Sequence, residues 1–152
     1  MNYVILLHVL VVFTAFAFTT GVGIALTAIA DTRDVPAIRT AVRVIRPFNA
    51  AGAILLIVGV ILGFGAAQMS GYPLTSLWLK VTFVAVALLL YSGLGVHQPW
   101  TGRLRAAAAA SPDDRPAADL QAVIDDKFVR AAGPISGLLW IVIIAMMVLR
   151  PA

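Results

Sequence analysis

Four long apolar runs, separated by shorter polar segments, dominate the chain. They cover approximately residues 3–30, 48–68, 76–97 and 131–149. A helix needs about 20 apolar residues to cross the hydrocarbon core of a bilayer, and each run reaches or approaches this length. The pattern predicts an all-α fold, an integral membrane four-helix bundle formed by a single transmembrane domain over residues 1–152.

Basic residues are concentrated in the first and third connections between these runs. The first contains Arg33, Arg39, Arg43 and Arg46, and the third contains Arg103, Arg105, Arg115, Lys127 and Arg130, whereas Met69–Thr75 contains none. Because Lys and Arg in short connections resist translocation, we expect the first and third connections in the cytoplasm. Both termini then lie on the outer side.

The first connection has the periodicity of an amphipathic helix. Its apolar residues Ile38, Val42 and Ile45 recur at helical spacing, and its arginines take another face. We expect a short cytoplasmic helix on the inner leaflet that binds anionic lipid headgroups through Arg39, Arg43 and Arg46. The alternative is ordinary positive-inside charge without a specific lipid.

The third connection predicts a second short amphipathic helix, over residues 119–130, which leads into the fourth run with a bend at Gly133–Pro134. Pro99 is expected to end the third transmembrane helix, because proline lacks the N–H that a continuing helix needs. Residues 106–116, an alanine run followed by a Ser- and Pro-containing segment, predict a mobile linker.

Composition supports a membrane protein and narrows its chemistry. Of the 152 residues, 61% are hydrophobic and 12% are charged, about half the charged content of an ordinary soluble domain. The net charge of +4 flanks the apolar runs, which indicates membrane lipids and not nucleic acid as the partner. Without cysteine there is no thiolate metal site, and without a carboxylate in the runs a proton relay is disfavoured. We expect a multi-pass protein of the bacterial inner (plasma) membrane.

Small residues recur where helices would pack. Gly52, Gly59 and Gly63 share one face of the second run, and Gly133 and Gly137 have the same spacing in the fourth. In lipid, close approach through small residues supplies much of the energy of helix association. These faces can pack within the bundle, in a homodimer or against a membrane-protein partner. We expect packing within the bundle first.

The chain has two histidines, and the predicted topology separates them. His8 lies near the outer end of the first helix and His97 near the inner end of the third, about 20 Å apart in depth on a rise of 1.5 Å per residue. They therefore cannot bind one haem together. His97 is interpreted as a polar cap at the membrane boundary.

His8 has potential partners at its own depth. Counting from the helix ends places Lys80, Gln68, Met146 and Met147 in the same outer-leaflet layer as His8. Imidazole and thioether groups bind haem iron or Cu(I), and an amine pairs with a propionate or another anion. We predict a cofactor site, or a metal site at His8, in this layer. The alternative is structural: Lys reaches the interface, Met fills gaps and a carbonyl satisfies the histidine.

Several short motifs resemble a known family. They are Leu7-His8-Val9-Leu10, Leu77-Trp78-Leu79-Lys80, the group Pro99, Arg103 and Arg105, and the closing Met147-Val148-Leu149-Arg150-Pro151. Together they are similar to the bacterial membrane proteins of domain-of-unknown-function family 2269. More distantly, they resemble HemJ-type protoporphyrinogen oxidases and CopD-type copper-resistance proteins. In those families an early histidine and a third-helix lysine are associated with haem or metal, so the resemblance implies such roles for His8 and Lys80.

Two functional hypotheses follow. In the first, a small polytopic protein of unassigned activity binds a b-type haem or a similar ligand near the outer leaflet through His8. In the second, the chain is a non-catalytic accessory or structural subunit of a larger membrane complex. No residue is assigned a catalytic role.

Overall fold

The structure of the protein, a computed structural model, describes residues 2–149; Met1 and residues 150–152 of the predicted domain lie outside the described residues. Every regular element in the described part is helical. The α-helices are α1 (Asn2–Phe16), α2 (Val22–Asp31), α3 (Val35–Met69), α4 (Leu77–Tyr91), α5 (Gln98–Ala110), α6 (Ala118–Ile124) and α7 (Lys127–Leu149). Two π-helical turns, Ala17–Gly21 and Ser92–His97, join α1 to α2 and α4 to α5.

These elements form four helices that are long and apolar enough to cross a membrane. They run over Tyr3–Asp31, Val35–Met69, Leu77–Ala110 and Ala118–Leu149 within the described chain. The all-α fold with four apolar helices is therefore confirmed. At 1.5 Å per residue, the 35-residue α3 is about 52 Å long, whereas the hydrocarbon core is about 30 Å thick. All four helices, of 29 to 35 residues, are therefore longer than the bilayer core is thick, so part of each helix extends beyond it.

The first connection does not form a separate helix on the membrane surface. α3 begins at Val35, where the Asp34 side chain accepts a hydrogen bond from the N–H of Ala37 at 3.0 Å, and it continues through Pro47 to Met69. Its apolar face, including the fully buried Ile38, packs inside the protein and not on lipid. The expectation of an independent amphipathic helix is thus wrong, because protein neighbours cover the apolar face that lipid was expected to cover.

The expectation that Pro99 ends the third helix is also wrong. The π-helical turn Ser92–His97 precedes it, and the N–H of Gln98 bonds to the carbonyl of Gly93, five residues back. Pro99 then occupies the first turn of α5, where its missing N–H costs little. The alanine run is helical as well, with Ala108 fully buried, and the linker begins only after it.

The predicted helix over residues 119–130 is interrupted at Asp125–Asp126, between α6 and α7, and Gly133–Pro134 lies inside α7, where the bend stays a prediction. The Asp126 carboxylate accepts hydrogen bonds from the N–H groups of Phe128 at 3.0 Å and Val129 at 3.4 Å. An acidic side chain that caps the free N–H groups of a helix end starts a new helix at this point. The capping residue Asp126 therefore sets the start of α7.

The helices pack as two close pairs. α1 lies antiparallel to α3, and α4 packs on α7. We call the end that holds the Met69–Ser76 connection the His8 end, and the end that holds residues 31–46 and 103–130 the arginine end. The first turns of α1 and the last turns of α7 both lie at the His8 end, since His8 and Val148 line the same cavity. The side of the membrane that this end faces stays a prediction.

The arginine end has a core like that of a soluble domain. Ile38, Leu104 and Leu120 are fully buried there, and the indole N–H of Trp100 donates to the carbonyl of Val123 at 2.9 Å. Further along the bundle, a smaller cluster around Trp140 connects this core to the His8 end. The protein is therefore packed most tightly at the arginine end.

Candidate functional site

A cavity of about 230 Å³ lies between α1, α3, α4 and α7 at the His8 end. Most of its lining is apolar, with Val12, Leu56, Phe83 and Ile143 among the residues involved. Its polar or amphipathic lining residues are His8, Ser70, Tyr72, Trp78 and Thr82. An apolar cavity between bundle helices with a few polar groups is a typical small-molecule site.

One ring nitrogen of His8 is held by the backbone of α3. Nδ1 lies 2.9 Å from the carbonyl oxygen of Gly59. A carbonyl only accepts hydrogen bonds, so Nδ1 carries the proton and donates it. In the neutral ring, Nε2 is then left with a free lone pair.

Nε2 of His8 has no hydrogen bond to residues 3–149, whereas every buried side-chain nitrogen or oxygen atom among those residues has a partner. Nε2 therefore reaches an accessible surface, and His8 lines the cavity. A histidine that donates one N–H to a carbonyl and presents the other nitrogen has the arrangement usual for metal-bound histidines.

Glycines of α3 allow this close approach of α1. A β-carbon on Gly52 would lie 3.0 Å from Cγ2 of Thr19, and one on Gly59 would lie 3.0 Å from Cγ2 of Val12. A β-carbon on Gly63 would lie 2.6 Å from Cε1 of His8. These glycines accordingly pack within the bundle, at the positions that bring His8 against α3.

The connection between α3 and α4 contributes Ser70 and Tyr72 to the cavity lining at the His8 end. Gly71 has a φ of +72°, its N–H bonds to the carbonyl of Gln68, and the N–H of Tyr72 bonds back to Ala67 at 3.1 Å. This glycine-dependent helix end returns the chain over α3. Tyr72 then contacts Trp78 edge to face, with ring centroids 5.5 Å apart. The sequence assigned no ligand role to these aromatic residues, although Gly71 after an apolar run signals such a turn.

The other predicted site residues do not all meet at this cavity. Met147 lines it beside His8, and Met146 packs against the small core formed with Trp78. Gln68 and Lys80 are exposed and do not line it. Lys80 lies instead in a separate groove between α4 and α7. Of the residues predicted to share one layer, His8 and Met147 thus line the same cavity, whereas Lys80 lies outside it.

The whole described chain matches one family. The family described as predicted integral membrane protein (DUF2269) matches residues 2–151. The chain belongs to this family. No curated protein and no solved structure matches it. Membership in DUF2269 thus establishes an integral membrane protein of unknown function, in agreement with the four apolar helices.

In its described part, this DUF2269 protein has no ready-made protein cage for a metal ion. Within residues 3–149, no group of three or more His, Cys, Asp or Glu side chains is placed to hold one. His97, the second histidine, lies in the π-helical turn next to Val96 of the arginine-end core. A metal bound at His8 would therefore need ligands from methionine or from a cofactor of its own.

The predicted lipid-binding arginines of this DUF2269 protein differ in their surroundings. Arg39 donates to the carbonyl of Ala108 at 2.8 Å and also binds Ser111 and Asp113, so it fastens the end of α5 to α3. Arg43 and Arg46 are exposed and form no ion pair with residues 3–149. Binding of lipid headgroups by these two side chains stays a prediction.

Further ion pairs in this DUF2269 protein hold the arginine end together. Arg33 binds Asp125 at 3.0 Å, and Arg103 binds Asp126 at 2.9 Å. Arg130 reaches Asp31 at 2.5 Å. These pairs join α2, α5 and the start of α7 around the buried core, and each is partly screened by solvent.

Proposed function

We propose that this protein is a membrane-embedded binding protein, which holds an apolar ligand in the His8-end cavity through Nε2 of His8. The observation that carries the proposal is the hydrogen bond from Nδ1 to Gly59, because it fixes the tautomer and leaves Nε2 as an acceptor or metal ligand. A b-type haem is the first candidate ligand, and another ring compound with a hydroxyl group is the second.

The residues present fit an axial haem ligand in part. His8 would bind the iron, and the thioether of Met147 lines the same cavity. Bound haem would supply one-electron transfer. The cavity of about 230 Å³ is small for a drug-sized ligand, for which about 300–1,000 Å³ is usual. It is open at its edge, since the lining residues Val9 and Val148 are 46% and 73% exposed. No Lys or Arg among residues 3–149 lines it, so propionates held by these residues alone would need to reach the water at the His8 end.

An absorption spectrum of the purified full chain tests the haem. We expect a Soret band that is lost in His8→Ala and kept in His97→Ala, which removes the histidine at the other end. A colourless wild-type protein from cells supplied with haem would eliminate haem as the ligand. A band that survives in His8→Ala would place haem elsewhere.

A second candidate function is that of an accessory subunit, favoured by an unoccupied face of α7. A β-carbon on Gly133 or Gly137 would have no neighbouring atom within 4 Å, so this pair of glycines does not pack within the described chain. Such spacing supports association with another transmembrane helix. We expect Gly133→Leu/Gly137→Leu to reduce the size of the native assembly, and Gly65→Leu, at an equally open glycine, to leave it unchanged. An unchanged assembly in the α7 double variant would remove this candidate.

A further inference from the structure

Lys80 is an isolated cation in an apolar region. It is the sole charged residue between positions 47 and 102 of the sequence, and it lies in the first turns of α4. Its side chain is exposed and forms no hydrogen bond or ion pair with residues 3–149. An ammonium group at this depth is costly unless it reaches an anion or water. Its charge is therefore available to a group outside the protein.

A groove extends from Lys80 along the outside of α4 and α7. It measures about 320 Å³, and apart from Lys80 its lining is apolar: Val81, Val84, Ala85, Leu88, Leu139 and Val142. From Lys80 to Leu88 it follows α4 over about 12 Å, at 1.5 Å per residue. The groove itself is thus an apolar body, and Lys80 borders it through its aliphatic stem, with its side chain exposed.

The groove is separate from the cavity at His8. The cavity takes Leu79, Thr82 and Val86 of α4, whereas the groove takes Val81, Val84 and Leu88. Lys80 therefore does not belong to the site of the proposed function, and a ligand here is independent of His8.

We propose that this groove binds an anionic phospholipid, with the phosphate on the ammonium group of Lys80 and one acyl chain along Val84 and Leu88. Charge complementarity selects this occupant. A zwitterionic lipid carries its own cation beside the phosphate, and this cation opposes Lys80, whereas phosphatidylglycerol carries a net negative charge. The exposed fractions of Val84, 60%, and Leu88, 49%, leave the apolar body accessible to a chain.

The attraction of one lysine to an anionic membrane surface sets the expected selectivity. It is worth about 1 kcal/mol, which corresponds to about a fivefold preference. The arginine end carries its own exposed arginines, so a measurement on whole lipid binding would mix two sites. The experiment must therefore report binding at the groove itself.

Photo-cross-linking with mapped products provides this resolution. The full chain is reconstituted in nanodiscs that contain either phosphatidylglycerol or phosphatidylcholine with the same photoreactive acyl chain, and mass spectrometry locates the labelled residues. We expect labelling within residues 81–88 to be about fivefold higher with phosphatidylglycerol. Lys80→Arg should keep the preference, and Lys80→Gln should reduce it to parity. Lys127→Gln, which removes the second lysine of the sequence at the opposite, arginine end, should leave the lipid preference unchanged.

Two further variants separate the groove from general lipid contact. Val84→Trp fills the apolar body and should lower labelling by both lipids while Lys80 is present. His8→Ala should leave the lipid preference intact. A failure of the lipid proposal can therefore be distinguished from a failure of the haem proposal. Equal labelling by both lipids in the wild type overturns the inference. So does a preference that persists in folded Lys80→Gln, or labelling that maps to a bound polypeptide covering the groove.

Discussion

The backbone of Gly63 in α3 lies directly against the imidazole ring of His8 in α1. A β-carbon at this glycine would be 2.6 Å from Cε1 and 3.3 Å from Nε2 of the ring. One turn earlier along α3, the carbonyl of Gly59 accepts the hydrogen bond from Nδ1. A single glycine-containing face thus positions the ring and fixes its tautomer.

Replacement of Gly63 by alanine should displace His8. The methyl group forces the ring away, the hydrogen bond to Gly59 is lost, and overpacking of this kind costs about 1–3 kcal/mol. We expect a lower unfolding temperature in detergent and weaker binding of the cavity ligand. Gly65→Ala is the matched control, because a β-carbon there meets no atom within 4 Å. Equal stability and equal ligand binding in the two variants would contradict the packing described.

The location of the helices could be predicted from the sequence because their apolar length is set by the bilayer. The side of each helix that faces the protein interior could not be predicted. Leu79 is buried and Leu77 exposed, yet both are leucines in the first turn of α4. Lipid and protein interior are both apolar, so hydrophobicity does not distinguish the two faces. For this reason the depth of Lys80 was predictable and its separation from His8 was not.

The predicted helix boundaries were wrong for a different reason. The rule that a proline ends a helix considers only the proline and its neighbours in sequence. Pro99 follows a π-helical turn and lies in the first turn of α5, where its lack of an N–H group breaks no helical hydrogen bond. Pro47 likewise lies within α3, between the buried Ile45 and Gly52. At Pro47 tertiary packing outweighs a local preference, whereas at Pro99 the position in the first helical turn removes the conflict. The glycines of α3 were informative because small residues at regular spacing have few other uses in a membrane helix.

The core of the arginine end should dominate stability. Leu104 is fully buried, so Leu104→Ala should cost about 2–5 kcal/mol through lost contacts and an unfilled cavity. Leu94, 53% exposed, provides the comparison, and Leu94→Ala should have a small effect. Chemical or thermal unfolding in one detergent measures both. A similar loss of stability in the two variants would mean that the arginine end is not the tightly packed region.

Arg39 and Arg43 should have separable roles although they lie one turn apart. Arg39→Ala removes the contacts with Ala108, Ser111 and Asp113. Hydrogen bonds from a charged group, such as those to the two carbonyls, are worth about 1.5–3 kcal/mol each, whereas solvent screens the pair with Asp113, whose side chain is 75% exposed. We expect faster proteolysis of the segment after α5 in this variant. Arg43→Ala should leave proteolysis unchanged and weaken binding to anionic vesicles. Loss of vesicle binding only in Arg39→Ala would reverse these assignments.

Asp126 should make the arginine end sensitive to acid. The hydrogen bond from Arg103, with further ones from the N–H groups of Val129 and Phe128, holds the pKa of Asp126 below its ordinary value despite some opposing desolvation. The folded-state pKa is therefore lower than the unfolded one, so the stabilisation is complete above the unfolded value, about 3.9, and is lost as the pH falls through the folded value.

The Asp126→Asn variant should accordingly be less stable than the wild type at pH 7, and the difference should shrink as the pH falls below about 4. Solvent screens the pair with Arg103, whose side chain is 55% exposed, so the effect should stay below about 1 kcal/mol. Unfolding temperatures across this pH range measure it, with Asp119→Asn as the control for a general change of charge. A stability difference that grows toward acid would show that the charged form of Asp126 does not stabilise the fold.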